Sequence, residues 1–127
     1  MKLAALLGND TLKQRLSALQ AKGKLTHSFL LTGPEGSGRH TLARILCAAM
    51  QCTAPGERPC GVCPQCRKVL DGAHPDICIV DDPEKKTIPV KLVRDACTDL
   101  YIRPNEGQRK NRSTHYSGTQ ASNCINF

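Results

Sequence analysis

Residues 27–41, HSFLLTGPEGSGRHT, decide how the chain is read. A short apolar run from His27 to Thr32 ends at a glycine, and Gly33, Gly36 and Gly38 punctuate the loop that follows. Residues 39–51, RHTLARILCAAMQ, then resume as a helical stretch rich in Ala, Leu, Ile and Met. Strand, glycine-rich loop and helix is the setting in which backbone N–H groups close around a phosphate. The working pattern is G-x-x-x-x-G-K-[ST]. Here Gly33 and Gly38 keep the spacing, but Arg39 stands in place of the lysine and His40 in place of the hydroxyl. Arg39 retains a positive charge, yet its planar fork does not replace a compact ammonium. A neutral imidazole is a poor ligand for Mg²⁺, and Thr41 lies one helical step further on, roughly 100° around the axis. Nucleotide hydrolysis is therefore not expected. Two readings of Gly33, Gly36, Gly38, Arg39 and Thr41 remain: a surviving phosphate site at a helix N-terminus, or a loop kept only to start the helix, which is favoured.

Immediately downstream, residues 52–66 read CTAPGERPCGVCPQC and place Cys52, Cys60, Cys63 and Cys66 in a C-x7-C-x2-C-x2-C pattern. Two-residue gaps let neighbouring thiolates converge on one ion, and Pro55, Gly56 and Pro59 can turn the longer loop back to bring Cys52 into range. Four sulfur ligands would close a tetrahedral zinc site with no open position for water, so the metal would be structural. The alternatives are two disulfides or reduced buried thiols. Residues 1–16, MKLAALLGNDTLKQRL, turn polar at once and do not resemble a secretory signal, which makes a reducing cytoplasm the expected compartment and favours metal over disulfides. Cys47, Cys78 and Cys97 each lie in an apolar stretch and read as small core residues without chemistry.

The remaining composition sets broad limits. A chain of 127 residues is at most one domain, and 18 basic against 11 acidic groups give a net charge of +7. That balance permits contact with nucleic-acid phosphates, but two Tyr, two Phe and no Trp exclude an aromatic platform for stacking single strands. No apolar run approaches the length of a membrane-spanning helix.

Working outward, residues 10–22 place Leu12, Leu16 and Leu19 on one helical stripe, with Asn9 or Asp10 as cap and Gly23 as stop. After the cysteines, a short helix to about Leu70 leads through GAHPD into a second apolar strand at 77–81, ICIVD. Pro89 then opens a helix whose buried stripe is expected to be Val90, Val93, Cys97 and Leu100. This alternation predicts an α/β fold, a parallel sheet flanked by helices.

Other polar residues carry weaker signals. His74, eight positions after Cys66, is a fifth candidate ligand but is better read as ordering the AHPD turn. His27 reads as a hydrogen-bonding group at a strand boundary. Asp81, Asp82 and Glu84, followed by Lys85 and Lys86, read as a solvated loop. Arg103, Arg109 and Lys110 read as surface charges able to meet DNA phosphates in an assembly.

In serial order, HSFLLTGPEGSGRHTLA, the four-cysteine pattern, GAHPDICIVD and IPVKLVRDACTDLYIRPNEGQRK together resemble the N-terminal ATPase-type domain of the bacterial clamp-loader subunits of DNA polymerase III, over about residues 5–110. The degenerate loop and short N-terminal lead resemble the delta-prime type more than the gamma/tau type, whose loops carry the lysine and hydroxyl. The resemblance implies a P-loop AAA+ fold over residues 1–110 with an inserted zinc knuckle at 52–66. It makes Cys52, Cys60, Cys63 and Cys66 the zinc ligands and residues 33–41 the phosphate-loop equivalent. It further implies a clamp-loader role in DNA replication beside gamma/tau and delta subunits. There the assembled complex opens the sliding clamp and loads it on primed DNA, while the delta-prime type supports neighbouring ATPases without hydrolysing ATP itself. An active gamma/tau-type ATPase and a free-standing zinc-knuckle nucleic-acid binder are the alternatives.

After Lys110 the resemblance stops. Where the family continues into an apolar strand, residues 111–127 read NRSTHYSGTQASNCINF, with no strand pattern. The expectation is an unstructured or out-of-frame tail on a domain truncated before the second half of its sheet, with an uncovered strand edge and marginal folding.

Overall fold

In the computed structural model, the described residues are 8–24, 28–34, 36–80, 89–99, 102–107, 111–115 and 122–126. His27, the acidic cluster at 81–84 with Lys85 and Lys86, Leu100, Arg109 and Lys110 lie outside them.

The first helix, α1, runs Asp10–Ala21. Leu16 is buried in the core and Leu12 packs against it, as the stripe implies. Asn9 occupies the cap position in a left-handed conformation but its side chain makes no capping bond. At the other end Gly23, with φ of 63°, lets its own N–H reach Gln20 O and the Lys24 N–H reach Leu19 O. That pair of bonds is the glycine stop expected of a Schellman motif.

Strand β1 is Ser28–Thr32, helix α2 Arg39–Gln51, helix α3 Pro64–Leu70, strand β2 Ile77–Val80 and helix α4 Val90–Asp99. Helix α2 is the core: Leu42, Ala43, Ile45, Leu46, Cys47, Ala48 and Ala49 are buried along it. Phe29 and Leu31 from β1, Ile77 from β2 and Val69 from α3 converge on the same cluster. A helix apolar on most of its circumference must be covered on several sides, and these elements cover it.

Two further strands correct the expectation for the tail. Residues Asn111–His115 form β3 and Ser122–Asn126 form β4, inserted between β1 and β2 in the sheet order β1-β4-β3-β2. Strand β3 pairs parallel to β2, while β4 pairs antiparallel to both β1 and β3. Thus β1, β2 and β3 share one direction and β4 alone opposes them, so the expected all-parallel sheet is mixed. The reason is non-local. The facing edges of β1 and β2 carry backbone donors and acceptors that need partners, and main-chain pairing satisfies them whatever the inserted side chains are. The cost is visible at Asn111 and Ser113, which are buried at 1 % and 3 % exposure. Both polar side-chain atoms of Asn111 have no partner among the described residues.

Helix α4 departs from its expected stripe. Val90 is 68 % exposed, and Val93 and Cys97 are only half-buried. The helix packs mainly on β2, an edge strand, with Arg112 of β3 reaching Cys97, and Val90 and Leu92 stay exposed. Cys78 on β2 and Cys97 are likewise half-buried, whereas Cys47 is the core residue that its setting implies. No helix among the described residues is long and apolar enough to cross a membrane.

Candidate functional site

Helix α2 has a chemically distinct end on each side. Its N-terminus closes the glycine loop, and its C-cap is Cys52, the first residue of the cysteine cluster. Thirteen helical residues separate the two by about 20 Å, so they are separate sites.

At the cluster, the Sγ atoms of Cys52, Cys60, Cys63 and Cys66 all lie within 4.8 Å of one another. Cys60 Sγ and Cys66 Sγ are 3.9 Å apart. A tetrahedral thiolate site with bonds of about 2.3 Å sets its sulfurs about 3.8 Å apart, so the four cysteines fit one metal ion. None of the four is in a disulfide. The knuckle is built by backbone N–H groups directed at sulfur: Cys60 N to Cys52 Sγ at 3.5 Å, Cys63 N to Cys60 Sγ at 3.3 Å, and Cys66 N to Cys63 Sγ at 3.4 Å. The last of these makes Cys63 the N-cap of α3, with Pro64 in the first turn where no N–H is needed.

The sulfurs differ in setting. Cys52 and Cys66 are fully buried in the apolar cluster, while Cys60 and Cys63 are half-buried. As a free thiol, Cys66 is pushed up to about 12 by burial. At Cys63 burial also raises the value, but N–H donation from Cys66 and Thr53 overrides it and brings the thiol down to about 6. Cys60 is lowered, first by the N–H groups of Cys63 and Val62. A cation binding here would displace protons that the buried sulfurs otherwise hold, coupling metal binding to folding.

At the opposite end of α2, Gly36 and Gly38 have φ of 77° and 79°, and Gly38 is the N-cap. Gly33 is closely approached by Ser37: a Cβ there would lie 2.7 Å from Ser37 Oγ and 3.3 Å from its Cβ, so a larger residue would have to move that side chain. Arg39 is buried, and its Nη1 donates to the carbonyls of Gly33 at 2.5 Å and Pro34 at 2.8 Å. One nitrogen of the guanidinium is thus committed to the loop's own backbone, while the buried Nε has no partner among the described residues. Thr41 is exposed on α2. The structure brings Arg39 onto Gly33 and leaves Thr41 on the exposed side of α2.

Sequence reasoning missed a third constellation. His74 is buried and orders its turn, as expected: Nδ1 accepts from Asp76 N at 3.1 Å, and Nε2 faces Gln65 Oε1 at 2.7 Å. An accepting Nδ1 assigns the proton to Nε2, which donates to Gln65. Burial is the main reason the imidazole titrates below its ordinary value. The buried Asp76 carboxylate accepts three successive N–H groups, from Asn105 at 2.6 Å, Glu106 at 2.9 Å and Gly107 at 2.7 Å. Burial raises its pKa, but these three bonds together lower it. Gln65 Nε2 reaches Glu106 O at 3.3 Å, and Lys68 forms an ion pair with the Glu106 carboxylate. Only the AHPD turn signalled this in the sequence; Gln65, Glu106 and Gly107 meet it from far along the chain.

A protein-family profile described as DNA polymerase III, delta subunit matches residues 8–112. Among curated relatives, the chain is similar to Protein STICHEL-like 1 of Arabidopsis thaliana, 35 % identical over 63 % of this chain and 7 % of the relative. It is similar to DNA polymerase III subunit gamma/tau of Mycobacterium tuberculosis (strain ATCC 25618 / H37Rv), 33 % identical over 61 % of this chain and 14 % of the relative. The similarity to DNA polymerase III subunit tau of Escherichia coli (strain K12) is 28 % identity over 84 % of this chain and 16 % of the relative. The chain therefore spans a small fraction of the length of the relatives it matches.

Proposed function

The chain belongs to the DNA polymerase III delta-subunit family, and on that premise we propose that it is a delta-prime-like clamp-loader component that supports its neighbours without hydrolysing ATP. The observation that carries this reading is Arg39. A hydrolysing loop needs a free cation at the terminal phosphates and a hydroxyl for Mg²⁺. Here the guanidinium is bound to the Gly33 and Pro34 carbonyls, and His40 follows it. What remains is a loop that starts α2, and Gly33, Gly36, Gly38, Arg39 and Thr41 would at most hold a phosphate weakly.

Within the same proposal, Cys52, Cys60, Cys63 and Cys66 hold a structural Zn²⁺. The sulfur spacing and the N–H groups directed at the thiolates support this. The ion closes the knuckle; the protein's own contribution is to anchor two ligands in the core and cap α3 with a third. The partners would be gamma/tau and delta subunits, and through the assembled complex the sliding clamp and primed DNA, in the cytoplasm.

A second reading, an active gamma/tau-type ATPase, draws on the printed names of the relatives. One experiment separates the two. Zinc-loaded chain is mixed with gamma/tau and delta subunits, and co-elution is measured together with ATP turnover by the chain alone. Co-elution without turnover is expected. Turnover that Arg39→Ala abolishes would overturn the non-hydrolysing assignment in favour of the second reading.

A further inference from the structure

Helix α3 has seven residues, too few to persist alone in water, where about 12–15 are needed even for favourable sequences. It is held at its N-terminal end by Cys63 and Cys66 and on its core side by Val69. Two other residues of this helix, Gln65 and Lys68, are three apart and share a face. Both reach Glu106, the first through the backbone oxygen and the second through the carboxylate. Gln65 also accepts from His74, His74 accepts from the Asp76 N–H, and Asp76 accepts from Asn105, Glu106 and Gly107. These bonds form a closed ring running from Gln65 through His74, Asp76 and Glu106 back to Gln65. One arc of the ring belongs to the cysteine knuckle and the other to the 105–107 segment, 30 or more residues away in sequence.

We propose that metal occupancy of the four-cysteine site and the order of residues 105–107 are thermodynamically coupled through this Gln65–His74–Asp76–Glu106 ring. The inference rests on the metal reading above and deepens it: the ion does more than close its own loop. Metal binding fixes α3, α3 presents Gln65 and Lys68, and these hold Glu106 against the carboxylate of Asp76. Without the metal, the 105–107 segment loses what Gln65 and Lys68 of α3 supply and keeps its bonds to the Asp76 carboxylate. Linkage makes the coupling reciprocal: the factor by which metal orders 105–107 is the factor by which order in 105–107 tightens metal binding.

The reciprocal arm is the test. Zinc affinity is measured by competition with a chromophoric chelator for the full chain, for Gln65→Ala and for Asp76→Asn, and amide hydrogen exchange is followed in the zinc-loaded forms. Neither substitution removes a ligand. Both are expected to weaken zinc binding by about fivefold or more and to speed exchange at 105–107 by a similar factor. Unchanged zinc affinity in Gln65→Ala overturns the coupling, whether or not 105–107 exchange faster, and so does unchanged exchange there. If Asp76→Asn unfolds, the half-buried Gln65 decides alone, because its loss leaves the core cluster intact. Failure of the unsubstituted chain to bind zinc at all would instead overturn the metal reading itself.

Discussion

Arg39 Nη1 donates to the Gly33 carbonyl at 2.5 Å, so the first residue of α2 ties down the residue that opens the loop leading into it. A guanidinium held in this way is part of the loop's structure. Arg39→Ala removes this bond and the one to Pro34, and is expected to cost about 1–3 kcal/mol, read as a lower urea midpoint at constant slope. Arg39→Lys should recover part of that stability without conferring ATP turnover, because His40 still occupies the hydroxyl position.

The cysteine cluster predicts an unequal series. Cys52 and Cys66 are fully buried, so Ser at either position loses a ligand and also buries a hydroxyl in the apolar core. Cys60→Ser loses a ligand at the half-buried edge only. Elemental analysis is expected to give about one zinc per unsubstituted chain and almost none in Cys66→Ser, with helical circular dichroism lost most fully in Cys52→Ser and Cys66→Ser. Chelation should unfold the unsubstituted chain in the same way.

Gly107 sits against a fully buried side chain. A Cβ at this position would run into the Gln51 carboxamide, with Cδ at 2.8 Å, and Gln51 is fully buried. Gly107→Ala should therefore destabilise by about 1–3 kcal/mol through overpacking, although alanine is the smallest possible addition. Thermal unfolding measured beside a substitution at exposed Asn105 would separate this from a general effect on the segment.

Acid should weaken the fold through His74 before it does so through Asp76. The native imidazole titrates below 6.5, chiefly because it is buried, so the unfolded chain takes up its proton first. The stability that the neutral ring contributes is complete above 6.5 and is lost as pH falls through the lowered native value. The Asp76 contribution is complete above 3.8 and is lost only below it. Urea midpoints compared at about pH 7 and about pH 5 should drop in the native sequence, and His74→Gln should show a smaller drop.

Asn111 offers a stabilising change. Its side chain is buried, and among the described residues neither the carboxamide nitrogen nor the oxygen has a partner. Asn111→Leu, close to it in shape, removes the unsatisfied groups and should raise stability by about 1–3 kcal/mol, read as a higher urea midpoint. An unchanged or lower midpoint would mean that Asn111 is not buried in solution.

The sequence by itself determined the elements whose signals are local. The stripe and glycine stop of α1, the apolar runs of β1 and β2, the strand-loop-helix order around Gly33 and Gly38, and the four-cysteine spacing all depend on neighbours within a few residues. Their observed bounds lie close to those read from periodicity and caps. Only the tertiary structure decided what depends on distant partners. The polar 111–115 and 122–126 segments became strands because β1 and β2 offered backbone edges, a pairing that no side-chain alternation announced. Val90 came out exposed because α4 packs mainly on β2, an edge strand, and Arg39 turned inward because two loop carbonyls lay within reach. The ring joining Gln65 to Asp76 and Glu106 was invisible for the same reason: hydrogen bonds across 9 to 41 positions of chain leave no periodic trace in it.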